Sequence, residues 1–177
     1  MLSYNVAELM RSAPGTAQRI DFSVADLEVA EDLPLAQPVS GNVRLSRTSR
    51  SIMVRGHLET ALAERCSRCL RPAVSAVSAE LDEEVLPRVD ILTGVHLDVS
   101  DDPEAPRLTD HHELDLESLL REAISLAEPI APLCRADCPG LCVTCGADLA
   151  SEPGHAHADD EIDPRLVSLA SLRDRLS

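Results

Sequence analysis

Aromatic residues are almost absent from this chain of 177 residues: Tyr4 and Phe22 are the only two, and tryptophan is missing. A module that stacks bases on aromatic platforms needs more rings, so the common aromatic RNA-binding sheets are poor candidates. Lysine is absent as well, and all sixteen basic residues are arginine. No run of about 18 apolar residues occurs, which excludes a membrane-spanning helix and leaves no membrane partner to expect. The opening Met1-Leu2-Ser3-Tyr4-Asn5-Val6-Ala7-Glu8 has neither a positive n-region nor a continuous apolar stretch. No signal peptide is read there, and a cytoplasmic location is expected. Catalytic constellations are missing too: there is no Gly-x-x-x-x-Gly-Lys loop, no Gly-x-Ser-x-Gly elbow and no His-Glu-x-x-His. His111-His112-Glu113 falls in an acidic stretch and reads as solvent-facing. Neither enzymatic activity nor a small-molecule substrate is expected.

Apolar residues make up 44% of the chain, enough for a core that must be aliphatic. Charge is divided unevenly. Residues 1–79 hold nine arginines and eight acids, a net of +1, whereas residues 80–177 hold seven arginines and twenty-three acids, a net of −16. Within 33–71, seven arginines face only Glu59 and Glu64. The two halves are suited to different partners, or the acidic half shields the basic one.

The hydrophobic period divides the chain into three parts. Residues 1–37 read as an irregular N-terminal segment, with a short helix at Val6–Arg11 and an extended piece around Ile20–Val24; Pro34 and Pro38 bracket a linker. Residues 38–129 read as a β-sheet domain with an acidic loop and a helix. Val43, Leu45, Ile52, Val54, Leu58, Ala61 and Leu62 fall largely in alternating positions, interrupted by Ser-Arg-Thr-Ser-Arg at 46–50, which predicts antiparallel strands at about 39–46, 50–58 and 58–65. The Cys66–Arg71 turn then leads into a strand over Ala73–Val85. A Pro- and Asp-rich loop at 86–112 shows no period. Leu116, Leu119, Leu120, Ala123, Ile124 and Ala127 lie at helical spacing behind Asp115, a suitable cap, and Pro129 ends the helix. Residues 130–177 form a cysteine-rich metal-binding segment and a short helix opened by Pro164, with Leu166, Leu169, Ala170, Leu172 and Leu176 as its stripe. The expected fold is α+β: an antiparallel β-meander with one packing helix and a zinc-bound C-terminal segment.

Six cysteines fall into three close pairs, Cys66-x2-Cys69, Cys134-x3-Cys138 and Cys142-x2-Cys145, followed by His155-x-His157. In a reducing compartment such pairs read first as metal ligands. The x2 spacing lets a tight turn aim two thiolates at one ion while backbone N–H groups soften their charge. Gly140 and Gly146 sit where such turns need positive φ. Eight ligands make two closed tetrahedral sites, so two structural zinc ions are expected. The preferred pairing groups Cys66, Cys69, Cys134 and Cys138 in one site and Cys142, Cys145, His155 and His157 in the other. The first closes a loop of about 65 residues at a cost near 4 kcal/mol, which the roughly 10–16 kcal/mol of structural zinc exceeds. A rival pairing puts Cys66, Cys69, Cys142 and Cys145 on one ion. A redox role for Cys66 and Cys69 would want a helix-opening pair in a βαβ setting, which a meander does not offer. His155 and His157 could also be ordinary loop histidines.

The series Cys66-Ser67-Arg68-Cys69-Leu70-Arg71-Pro72, Asp115-Leu116-Glu117, Pro132-Leu133-Cys134, Cys138-Pro139-Gly140-Leu141-Cys142, Cys145-Gly146-Ala147-Asp148-Leu149 and Ile162-Asp163-Pro164-Arg165 resembles the YceD family of bacteria and plastids. Glu8-Leu9-Met10-Arg11 with Pro14-Gly15 resembles that family's start, so the likeness covers nearly the whole chain. The resemblance implies a role in accumulation of large-subunit ribosomal RNA, and hence in ribosome assembly. It implies ribosomal RNA, a large-subunit ribosomal protein or a pre-ribosomal particle as partner, and it brings no catalytic residue. Family members often carry Cys-x-Cys where this chain has His155-x-His157; both are zinc ligands. Two modes of action follow. The arginines Arg44, Arg47, Arg50 and Arg55, with Arg65, Arg68 and Arg71 nearby, could bind RNA directly. Alternatively, the acidic half could hold a basic ribosomal protein without touching RNA. A thiol redox protein is the third class.

Overall fold

The computed structural model describes residues 2–97 and 105–157. Contacts divide the chain into two units, Met1–Cys138 and Pro139–Ser177. The segment expected at 130–177 is thus split, with Cys134 and Cys138 belonging to the first unit. The helix expected behind Pro164 lies outside the described residues. No helix among the described residues is long and apolar enough to cross a membrane.

The fold is α+β. In chain order the first unit contains β1 (Ser3–Asn5), α1 (Ala7–Arg11), β2 (Ala17–Val24), β3 (Leu35–Arg47), β4 (Ile52–Arg65), β5 (Pro72–Val85), β6 (Glu113–Asp115) and α2 (Leu116–Leu126). β2 to β5 form one antiparallel sheet in sequential order, the expected meander, and β1 pairs with β6 in a small second sheet. Residues 1–37 are more regular than their sequence suggested, since they supply β1, α1 and a full outer strand of the main sheet. The two strands expected at 50–58 and 58–65 are one strand of 14 residues, β4. Ala61 next to Leu62 breaks the alternation in sequence, but both are buried, on opposite faces. Pro38 lies inside β3 rather than in a linker. Register shifts between Leu35/Gln37 and Gln37/Ser40 mark the irregularity that accommodates a residue with no N–H to donate.

One face of the sheet is the core. Val39, Val43 and Leu45 of β3, Ile52, Val54, Leu58 and Leu62 of β4, and Val77, Leu81 and Val85 of β5 are all buried. Each such side chain contributes roughly 1.5–3 kcal/mol on burial, so an aliphatic core suffices without aromatics. The single phenylalanine fills a specific place: Phe22 lies across from Gly41, where a Cβ would run into the His57 carbonyl and meet the Phe22 ring at 3.0 Å. α2 packs against β5 with Leu116, Leu119, Leu120 and Ile124 buried. Asp115 caps it, its carboxylate accepting from the Ser118 N–H at 3.2 Å. The N-terminus is tied to this helix: the Leu116 N–H donates to the Leu2 carbonyl and the Leu2 N–H to Glu117, each at 3.1 Å. The described part of 86–112 is also tied in, with Leu108 fully buried and Leu86 bridged to Arg107.

Packing rather than capping should hold α2 in place. Urea unfolding of the metal-loaded protein is expected to show a loss of about 2–5 kcal/mol for Leu120→Ala but only about 1 kcal/mol for Asp115→Ala. Equal losses would mean that the cap, not the core, fixes the helix.

Candidate metal centres and the arginine face

Two clusters of possible metal ligands emerge from the fold. The hairpin joining β4 to β5 turns through Cys66–Arg71, where the Cys66 N–H donates to the Arg71 carbonyl and the Leu70 N–H to the Cys66 carbonyl, both at 2.8 Å. The same turn recurs at Cys142, whose N–H donates to Ala147 while the Gly146 N–H returns to the Cys142 carbonyl, again at 2.8 Å. In each case the residue after the second cysteine has positive φ, 61° at Leu70 and 75° at Gly146. Gly140 has positive φ as well, at 82°. A turn of this shape points two sulfurs the same way.

The segment after α2 meets the first turn. The Ser67 N–H donates to the Pro132 carbonyl at 2.8 Å, and the Arg68 guanidinium donates to the Cys138 carbonyl at 2.9 Å. The sulfurs of Cys66, Cys69, Cys134 and Cys138 thereby lie within 4.8 Å of one another. The Cys66–Cys138 and Cys69–Cys134 sulfur separations are 3.8 and 3.6 Å. Those are not bonded distances; an ion coordinated tetrahedrally by sulfur at about 2.3 Å holds its ligands about 3.8 Å apart. The second cluster joins Cys142, Cys145, His155 and His157, also within 4.8 Å. Both imidazoles present Nε2: His157 Nε2 is 3.1 Å from the Cys142 sulfur, His155 Nε2 is 3.2 Å from that of Cys145, and the two nitrogens are 3.0 Å apart. Glu152 contacts the other nitrogen of His155 at 3.1 Å, orienting the ring in the manner common for metal-bound histidine. The grouping is the preferred one; the rival set of Cys66, Cys69, Cys142 and Cys145 is not brought together.

Electrostatics suit a cation at both places. Backbone N–H groups, of Cys134 foremost and then Cys69, bring the Cys66 thiol down to about 6, and those of Cys145 and Thr144 bring Cys142 down to about 6. Cys69 is lowered chiefly by the Arg71 backbone N–H, with the Arg71 side chain adding to it. Cys134 goes the other way, up to about 12, through lost solvation and then its hydrogen bonds to Cys69, Cys138 and Cys66. Although Cys134 is exposed as a residue, its sulfur is set among three others. Four crowded thiols resist ionising together unless a cation neutralises them, and thiolate is the form that binds metal. Cys66, Cys69 and Cys138 are buried, whereas the second cluster is half-exposed throughout.

The arginines do not form one surface. Arg47 lies on the core side at the end of β3, donating to the carbonyls of Met10 at 3.1 Å, Thr48 at 2.7 Å and Ser51 at 3.4 Å. Arg68 and Arg71 serve the first cysteine cluster, as above. Arg55 pairs with Asp82 at 2.9 Å. Arg44 and Arg50 extend to solvent. Arg44 stands in register between Arg19 and Arg55. Arg19 was hidden in sequence by the irregular look of its segment. The outer face of the sheet holds Arg19, Arg44, Arg55 and Arg65 against Asp21, Glu59, Glu80, Asp82 and Glu84.

Fold and site together define an α+β protein with two four-residue clusters of sulfur and nitrogen donors, one joining a sheet hairpin to the segment after its packing helix. The family described as "Large ribosomal RNA subunit accumulation protein YceD" matches residues 54–173. The chain belongs to the YceD family. That match contains all eight candidate donors and begins after Arg44, Arg47 and Arg50. Uncharacterized proteins of Mycobacterium tuberculosis and Mycobacterium bovis are 36% identical over 131 residues, 74% of this chain and 60% of theirs. One of Mycobacterium leprae is 30% identical over 135 residues, 76% of this chain and 59% of its own. The chain therefore spans about three-fifths of the length of these curated relatives. No solved structure matches it.

Two predictions follow from this geometry. Leu70 is 57% exposed, so Leu70→Gly removes little packing while relieving a backbone conformation that costs an L-residue about 1–2 kcal/mol. Thermal unfolding of the metal-loaded protein should find it neutral or up to about 1 kcal/mol more stable, with Gly146→Leu shifted the opposite way; a clear loss at Leu70 would assign the side chain a contact of its own. Arg47→Ala should cost about 1.5–3 kcal/mol in urea unfolding, whereas Arg44→Ala should stay within about 0.5 kcal/mol. Equal effects would remove the distinction between an internal and a surface arginine.

Proposed function

We propose that this chain is a non-enzymatic, cytoplasmic factor that supports accumulation of large-subunit ribosomal RNA, stapled by two structural zinc ions and acting by binding a basic ribosomal protein. Membership of the YceD family supports the biological role. The donor sets support zinc, because four sulfurs, or two sulfurs and two imidazoles, at tetrahedral spacing suit it. With four protein ligands each, both sites are closed and leave no open position for substrate or activated water, which favours structure over catalysis.

The observation that carries the choice of partner is the fate of the arginines. Four of the seven named as able to meet RNA, Arg47, Arg55, Arg68 and Arg71, are engaged within the fold, and the sheet's outer face carries five carboxylates against four guanidiniums. Such a surface repels phosphate more than it attracts it. An acidic chain of net charge −15 suits a cationic partner.

Elemental mass spectrometry on protein purified without a histidine tag should find two zinc ions per chain, falling to one in Cys142→Ser. Absence of zinc, with thiols that cycle to disulfides, would replace this reading with a redox one. Depleting the chain in cells should lower large-subunit relative to small-subunit ribosomal RNA. In equilibrium binding, a purified basic large-subunit ribosomal protein should bind and ribosomal RNA fragments should not; the reverse result would return the role to Arg44 and Arg50.

A further inference from the structure

β5 forms one edge of the main sheet, and among the described residues its only strand partner is β4. It pairs in unbroken register from Pro72 to Val85, with no bulge, and its single proline is its first residue. Half of the backbone N–H and C=O groups of such a strand point away from its partner. Proteins ordinarily blunt a long edge with bulges, internal proline, charged side chains or a covering segment. Among the described residues β5 has no bulge, internal proline or further paired strand, and its one guard is negative charge, Glu80, Asp82, Glu83 and Glu84, which repels an acidic strand and admits a basic one. The opposite edge, β2, is 8 residues long and carries Arg19 beside Asp21.

Its two sides differ in chemistry. Along the outer face Glu80, Asp82 and Glu84 alternate with inward-facing residues, and the strand contains no basic residue. Arg55 and His57 of β4 face Asp82 and Glu80, and Glu84, with no cation among its described contacts, keeps the strip acidic. On the inner side, β5 and α2 enclose a depression of about 270 Å³. Leu81, Leu119, Ala123 and Leu126 give it an apolar lining, and Glu83 and Glu122 an acidic one. Leu126 is 83% exposed at the end of α2, which is apolar surface without a cover among the described residues.

We propose that the open edge of β5 is the docking strip for an extended basic segment of a partner protein, added as a fifth strand with aliphatic and arginine or lysine side chains in alternation. The period of two sends every second side chain of an added strand into the depression beside α2, where aliphatic groups cover Leu126. The alternate side chains then stand beside Glu80, Asp82 and Glu84, where cationic groups match the charge. A second copy of this chain offers no charge match through β5, because that strand contains no basic residue to meet Glu80, Asp82 and Glu84. Nucleic acid does not fit either, since the strip repels phosphate and the chain has no aromatic platform. The inference rests on the reading of the chain as a binder of basic protein and adds where, and in what conformation, that protein is held.

The test uses the full zinc-loaded chain and a fluorescent twelve-residue peptide of alternating valine and arginine. Two control peptides accompany it, one with the same residues in two blocks and one with proline at two central positions. Fluorescence anisotropy at about 0.15 M salt should show the alternating peptide binding at least tenfold more tightly than either control. Glu80→Lys with Glu83→Lys should weaken it at least tenfold, whereas Glu8→Lys with Asp21→Lys, an equal charge change away from β5, should change it less than twofold. Hydrogen exchange on the complex should slow amides within Pro72–Val85. Equal binding of all three peptides, or equal loss in both double variants, would reduce the effect to general charge attraction and overturn the strip. If a basic ribosomal protein binds while exchange at β5 is unchanged, the edge is wrong and the partner class stands; if no cationic protein or peptide binds, both fall.

Discussion

The clamp between the β4–β5 hairpin and the chain beyond α2 is the constraint on which the rest of the first unit depends. Cys66 and Cys69 sit at the tip of a hairpin whose strands are each 14 residues long. Cys134 and Cys138 arrive there only after the chain has passed through α2. Joining the two fixes both ends of the path that contains the helix, so α2 has little choice but to lie along β5. The hydrogen bonds from Ser67 to Pro132 and from Arg68 to Cys138 set that junction in register before any ion is considered. The aliphatic core then fills the space so defined, without the aromatic bulk that many sheet proteins use.

Much of this was legible in the residues, and the reasons for the failures are physical. Cysteine spacing announced both turns, and the Leu116–Ile124 stripe behind Asp115 announced α2, because each is a short-range pattern. Two strands are expected where β4 runs unbroken, because Gly56 and Thr60 take inward positions between Val54, Leu58 and Leu62 and thin the apolar alternation. β2 is legible only from Ile20 onward, because Gln18 stands where the alternation of Ile20, Phe22 and Val24 calls for an apolar residue. Pro38 argued against a strand, yet a register shift makes room for it. The positive φ of Leu70 left no sign, since leucine is an unusual choice for that conformation, whereas Gly146 in the equivalent turn was readable. Donor pairing was inferred from the cost of closing loops, which favoured a local second cluster, and the structure groups the donors the same way.

Charge was the least legible feature, because sequence gives the sign of a side chain but not what it faces. The excess of arginine within 33–71 suggested a polyanion-binding surface. Much of it is internal carpentry: Arg47 closes the end of β3 against α1 and the following turn, and Arg68 and Arg71 brace a cysteine turn. Acidic side chains, by contrast, gather along β5 and on the neighbouring face of α2. The excess of arginine in sequence is therefore not carried over as one basic surface: Arg47, Arg68 and Arg71 hold the fold, while Glu80, Asp82 and Glu84 of β5 lie on the outer face of the sheet.

The two donor clusters differ in shelter, and this ranks them in time. Three of the four cysteines of the first are sealed from solvent, while every residue of the second is at least partly open. Exchange of a coordinated ion proceeds by stepwise replacement of its ligands from solution, so accessibility governs its speed. When the supply of ion falls, the C-terminal unit would surrender its share first, and the sheet would keep its own. Scarcity would then be registered in the second unit while the architecture of the first persisted.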